Sequence, residues 1–248
     1  MDRPDAAGPH RERNARRWAW VLVSARPVAF LAAQAGIAGL LALGGTAEPW
    51  WASAAWWPIA ATVANVAGIA LLRARAAAEG VPLRRLVLGD GFEQRDATGF
   101  AFALPLLAAT AFAVPWAWGL AVWGDAGVGV GLAVLASALP TWAAVVAVLG
   151  YPLSMAAVDV PTYAYARARL RGGALATIAI GAALGLQHAA LPFLPAWTFV
   201  EWRALMWVPY GLAVLGLLAG RPRWLPWLVV AHGLVHAVAA VLVWLAST

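Results

Sequence analysis

His232 and His236 stand four residues apart in an apolar C-terminal run, and His188 lies in another, so three of the chain's four histidines fall in segments apolar enough to cross a bilayer. Residues at i and i+4 project from one helix face, a spacing at which two imidazoles can bind one metal ion. With His188 as a third ligand from another helix, the result is a three-nitrogen site with one position open for water, as catalytic zinc requires. Gly233 follows His232, where the common zinc-hydrolase helix has glutamate. The alternative is a set of neutral histidines satisfied by backbone carbonyls or by one another.

Asp159 is the acidic residue expected below the membrane surface, where a lone carboxylate must neutralise or find a partner. Ser154 and Tyr163 are its candidate hydroxyl donors. Counting 1.5 Å per helical residue from the neighbouring arginines puts Asp159 about 12 Å deep, His232 about 13 Å, His236 about 20 Å and His188 about 25 Å. If those arginines share a side of the membrane, the four residues meet in one zone. Asp159, His188, His232 and His236 are the candidate catalytic residues, and the three histidines the candidate ligands of a divalent metal, zinc foremost.

The elements that must position them are helices. Hydrophobic residues make up 63% of the 248 residues, charged residues 11%, and mean hydropathy is +0.76, values of a multispan α-helical membrane protein rather than a soluble domain. Long unbroken apolar runs exclude a β-barrel, whose strands alternate. Seven stretches approach the ~20 residues of a span: residues 27–43, 50–72, 100–122, 127–149, 174–191, 204–218 and 224–245. An eighth and more polar stretch, residues 151–166, is either a broken, re-entrant piece or a full crossing, which leaves seven or eight transmembrane segments. Residues 1–26 read as a retained, basic, cytoplasmic tail and interfacial segment. Residues 27–248 read as a single helical membrane domain.

All 17 basic residues are arginine, and cysteine is absent, which excludes a disulfide framework, a thiolate nucleophile and a cysteine metal site. The net charge of +6 lies in short arginine groups beside apolar runs, so lipid headgroups and topology explain it, and no nucleic-acid partner is expected. With residues 151–166 re-entrant, the arginines at 3–26, 73–95, 167–171 and 221–223 share one side, with Arg203 opposite. The segment Arg73–Thr98 contains Leu83, Leu86, Val87 and Leu88, which suits either a short amphipathic element on the cytoplasmic face or a solvated loop. Many of the sixteen tryptophans, Trp202 among them, flank the spans as an aromatic belt. Glu201, Trp202 and Arg203 form an expected interfacial, solvated group.

At these residues the chain resembles the CPBP intramembrane protease family, also called the CAAX-protease or Abi family. Its motifs are E-E-x-x-x-R, F-x-x-x-H and H-x-x-x-N or H-x-x-x-D. The second is similar to Leu184-Gly-Leu-Gln-His188, with Leu for Phe, and the third to His232-Gly-Leu-Val-His236, with His for Asn or Asp. The first aligns over residues 158–163, where Asp159 stands for the second Glu and Val158 and Tyr163 replace the first Glu and the Arg. The polar interlude with Glu79 and the run Gly220-Arg-Pro-Arg-Trp-Leu-Pro-Trp extend the resemblance over residues 55 to 245. It implies an intramembrane metalloendopeptidase in a prokaryotic cell membrane, acting on a membrane-associated peptide or protein. His188 would be a base or ligand, His232 an oxyanion donor or ligand, and Asp159 the stand-in for the activating glutamate. Two alternatives are a catalytically inactive relative serving in binding or immunity, and a haem- or metal-handling membrane protein, since histidines on separate helices can be axial ligands.

Overall fold

Proline opens many of the helices. Pro49, Pro58, Pro105, Pro209, Pro222 and Pro226 all sit in the first turn of a helical segment, where the missing N–H would have had no helical partner. The computed structural model describes residues 9–170 and 173–248, with the side chains of 13–124, 135–170 and 173–248. In chain order the helices are α1 (Pro9–Leu43), α2 (Pro49–Ser53), α3 (Trp57–Ala78), α4 (Leu83–Leu88), α5 (Gln94–Ala101), α6 (Leu104–Ala108), α7 (Val114–Leu135), α8 (Thr141–Leu170), α9 (Gly173–Leu186), α10 (Trp197–Leu205), α11 (Val208–Gly220) and α12 (Leu225–Ser247). A π-helical turn, Ala109–Ala113, joins α6 to α7; Pro115 has no N–H to give Ala111, and the turn before it widens.

Among the described residues seven helical stretches are long and apolar enough to cross a membrane: Arg13–Leu43, Pro49–Ala78, Leu104–Gly124, Thr141–Leu170, Gly173–Ala190, Trp197–Gly220 and Pro222–Ser247. The chain is an all-α, multi-pass membrane protein. Its outer surface presents Leu40, Leu153, Leu175 and Trp197, each more than 70% exposed, the apolar side chains that lipid covers.

Two expectations are revised and one alternative is decided. The boundary between residues 26 and 27 falls inside α1, because Pro27 is carried within a helix that begins at Pro9; the expected tail thus supplies about five turns of α1 and brings Arg26 to the bundle. The expected span 127–149 is not one helix: α7 ends at Leu135 and residues 137–140 are not helical. Its second half continues through 151–166 as the single 30-residue helix α8, so the polar stretch crosses and does not re-enter. Pro152 and Pro161 each remove one backbone bond from α8, yet the helix is held by neighbours on several sides, namely α12, α3, α1 and α9.

This connectivity keeps the arginines together. Arg169 at the end of α8 pairs with Glu79 after α3, Arg75 lies 5.9 Å from the Trp18 ring of α1, and Arg223 before α12 is 3.9 Å from Glu93. At the other end Trp56 meets Trp142 at 5.9 Å and the Leu139 N–H donates to Ser247 Oγ at 2.9 Å. Arg3 and Arg171 lie outside the described residues. Burial by itself would raise the Glu79 carboxyl, but hydrogen bonds from Tyr165, Arg169 and Arg75 outweigh it and hold the group below its ordinary value. Leu83 and Leu86 of α4 pack inward while Arg84 and Arg85 are exposed, an amphipathic surface helix rather than a solvated loop.

α9 and α11 approach until their backbones touch. A Cβ on Gly211 would lie 2.1 Å from the Gly181 carbonyl oxygen, and one on Gly185 would lie 2.4 Å from Val208 N and Cα. Without a hydrophobic force between helices in lipid, close approach over small residues supplies the packing. This crossing fixes the turn bearing His188 against α11. Gly211→Ala therefore forces backbone apart and is expected to destabilise the protein by about 1–3 kcal/mol, read as a lowered unfolding midpoint in detergent; an unchanged midpoint would mean that the crossing is not held this tightly.

Candidate functional site

Tyr151, Met155 and Asp159 recur every four residues along α8 and so line one face. His232 and His236 do the same on α12, which crosses α8 where Gly233 faces Ala156, a Cβ there lying 3.0 Å from the alanine Cβ. A 3-10 turn, Gln187–Ala190, follows α9 and brings in Gln187 and His188. The four expected residues thus converge from three elements, and all are at most 5% exposed.

Asp159 is ionised, because everything around it donates. Arg26 Nη2 and Gln187 Nε2 give hydrogen bonds to Oδ1 at 3.0 and 2.7 Å, and His232 Nε2 lies 2.8 Å from Oδ2. Arg26 is itself positioned: its Nη1 donates to Asn65 Oδ1 at 2.7 Å, its guanidinium carbon lies 4.7 Å from the Phe30 ring centre, and Asn65 donates to Ser154 Oγ at 3.0 Å. Gly68 clears the space, since a Cβ there would meet Val158 Cγ2 at 2.7 Å and Arg26 Nη1 at 3.3 Å.

The carboxylate then dictates the imidazole protons. His232 gives its Nε2–H to Asp159, so its Nδ1, 3.2 Å from Tyr210 OH, accepts the phenol proton. His236 Nε2 lies 3.0 Å from the same His232 Nε2. Only one proton is available between those nitrogens and it is directed to Asp159, so His236 Nε2 keeps its lone pair and its Nδ1–H faces Tyr151 OH at 2.5 Å. His188 Nδ1 donates to the Gly185 carbonyl at 3.0 Å, leaving Nε2 a bare acceptor that is buried and has no hydrogen-bond partner among the described residues.

Two bare nitrogens and an ionised carboxylate therefore face one another. The ligand atoms of Asp159, His188 and His236 all lie within 4.8 Å of one another, near enough for small side-chain rotations to bring them around one ion. Buried acceptors without donors are costly, and a divalent cation would satisfy the two nitrogens while taking the lone pair of Asp159 that its three donors leave over. The converging set includes Asp159 and differs from the expected His188, His232 and His236. His232 stands behind it, the hydrogen-bonded support that ligating groups commonly need.

A cavity of about 240 Å³ leads to this centre. Tyr151, His188, Arg203, Trp207 and His236 form its inner wall. Phe112, Trp116, Val238 and Leu242, which also line it, are 40–58% exposed, so the mouth opens on the apolar outer surface between α12 and the start of α7. Trp202 lines the cavity as well and is buried, rather than belonging to the interfacial belt.

Several residues stand elsewhere than the sequence suggested. Arg203, expected in a solvated group with Glu201, is buried and donates to the Leu191 carbonyl. Ser154 bonds the Tyr151 carbonyl and Asn65, and Tyr163 OH finds no partner among the described residues; the hydroxyls that serve the site are those of Tyr151 and Tyr210. The arginine on Asp159 comes from α1, as Arg26, and not from the position of Tyr163. An asparagine and a glutamine in apolar runs were the available signals for Asn65 and Gln187.

Removing one partner of a buried ion pair strands the other charge and costs about 3–5 kcal/mol. Arg26→Gln is expected to lower stability by that amount, and Asp159→Asn added to it to restore most of the loss; purely additive losses in unfolding experiments would mean that the pair is not coupled. No family model, curated protein or solved structure matches the chain, so its chemistry rests on the geometry of these residues.

Proposed function

We propose that the protein is a CPBP-like, metal-dependent intramembrane peptidase acting on a membrane-associated peptide or protein that enters sideways from the lipid. The observation that carries this reading is the meeting of ligand atoms of Asp159, His188 and His236 with the inner end of a lipid-facing cavity. A few convergent polar groups in an otherwise apolar cavity are the usual form of an active site. A divalent ion, zinc by ligand type, would supply Lewis-acid polarisation of a carbonyl and acidify water.

The chain's own groups do the rest. Asp159, His188 and His236 would hold the ion, while Arg26, Gln187 and His232 orient Asp159. Tyr151 and Arg203, on the same wall as His188 and His236, are donors suited to a developing oxyanion. The apolar walls hold a hydrophobic segment and exclude bulk water.

One observation favours a second reading, a non-catalytic relative that binds a peptide or confers immunity. Asp159 is fully engaged by three donors and is not free as a general base, whose absence typically costs a factor of 10² to 10⁴.

The arginine-bearing end, including the start of α1, faces the cytoplasm of a prokaryotic cell in this reading, by the excess of arginine on cytoplasmic loops. Because the chain has no cysteine, single substitutions report topology directly. In intact cells Arg16→Cys should resist a membrane-impermeant maleimide and Ser247→Cys should react; the reverse pattern would invert the orientation. The function is tested by metal content: near-stoichiometric divalent ion in detergent-purified wild type, at least tenfold less in a His188→Ala, His236→Ala variant, and peptide hydrolysis lost with it. Failure of wild type to retain even added zinc would rule out the metallopeptidase in favour of the second reading.

A further inference from the structure

Arg203 carries a charge that no acid among the described residues answers. It is 4% exposed, its Nη1 reaches Met206 Sδ at 3.6 Å and its Nη2 the Leu191 carbonyl, and its Nε has no partner among the described residues. A thioether, a carbonyl oxygen and the Trp202 ring, 5.8 Å from the guanidinium carbon, do not neutralise a guanidinium. None of the ion pairs among the described residues involves Arg203, in contrast to Arg26, which meets Asp159. An arginine at that depth in a membrane protein ordinarily pairs or marks a ligand pathway.

The guanidinium stands on the inner wall of the cavity that opens toward lipid. At about 30 Å³ for a water-sized group, the 240 Å³ of space takes about eight such groups, the carbons of the inner half of one acyl chain. Phe112, Trp116 and Leu242 offer that chain aromatic and aliphatic walls.

We propose that Arg203 binds the anionic head of a single-chain lipid whose tail lies in this cavity with its free end toward the bilayer. The shared chemistry is a carboxylate or phosphate on one acyl chain, received as a charge-assisted, two-pronged hydrogen bond. Such a ligand occupies the route to His188 and His236, so the lipid competes with any other molecule entering there. This site does not depend on peptidase activity.

The test is binding of radiolabelled palmitate, lysophosphatidic acid and 1-hexadecanol to the full-length protein in nanodiscs, with unlabelled inorganic phosphate as competitor. On wild type, at least one acidic probe should bind ten times more tightly than the alcohol, and the tighter acid names the head group. Phosphate alone should not displace it, because it has no tail. Arg203→Gln should abolish the preference for the acid and Arg203→Lys should restore part of it, while Leu242→Trp, at the mouth, should weaken all tailed probes. Equal binding of acid and alcohol to wild type would overturn the proposal without any variant, as would displacement by phosphate or an undiminished preference in Arg203→Gln. Metal retention is read separately, so failure here and failure of the peptidase reading are distinct results.

Discussion

An ionised carboxylate in the middle of a helical membrane bundle must be answered by donors, because neither water nor lipid is there to solvate it. Asp159 is that group. Its two oxygens collect an arginine from α1, a glutamine from the turn after α9 and a histidine from α12, so a single side chain of α8 fixes the relative placement of three other parts of the chain. Replacement of the cluster by hydrocarbon would cost the bundle little. The structure retains charge there because the arrangement of the histidines follows from it.

The chain of consequences runs through protons. Ionised Asp159 accepts a hydrogen bond from His232 Nε2–H, which leaves His236 with a bare Nε2 and turns its Nδ1–H toward Tyr151. The Gly185 carbonyl, left over where α9 tightens into a 3-10 turn, does the same for His188. Two tautomers are thus set by supports outside the centre, and both leave unprotonated nitrogens beside the carboxylate. Backbone geometry and electrostatics cooperate here: α9 carries His188 to this point only because Gly181, Gly185 and Gly211 let it lie directly on α11.

Access is built from the opposite kind of surface. The π-helical turn before Pro115 and the exposed side chains of α12 frame an apolar opening rather than a water-filled one, so molecules that reach His188 and His236 by this route come from the bilayer. Arg203 is buried on the inner wall and makes the end of that route electropositive. The polar centre and the apolar entrance belong to one design in which low dielectric strengthens every charge interaction at the inner end.

By itself the amino-acid sequence determined the class and the ingredients: long apolar runs admit only spanning helices, and Asp159, His188, His232 and His236 stand out because ionisable groups in such runs are expensive. The i,i+4 spacing is enough to place His232 and His236 on one helix face. What the sequence did not determine was which segments end where. A proline at 27 and a polar stretch at 151–166 look like boundaries locally, but helices α1 and α8 run through both because neighbouring helices hold them in place. Arg26 was hidden for the same reason, since an arginine beside a basic tail resembles tail until the helix carries it inward. Only tertiary structure decided that Arg26 answers Asp159, that His232 supports the centre while His188 and His236 face it, and that Arg203 points into a cavity and not to water. The first of these joins residues 133 apart in the chain, and local periodicity carries no information about which distant donor a buried acceptor will find.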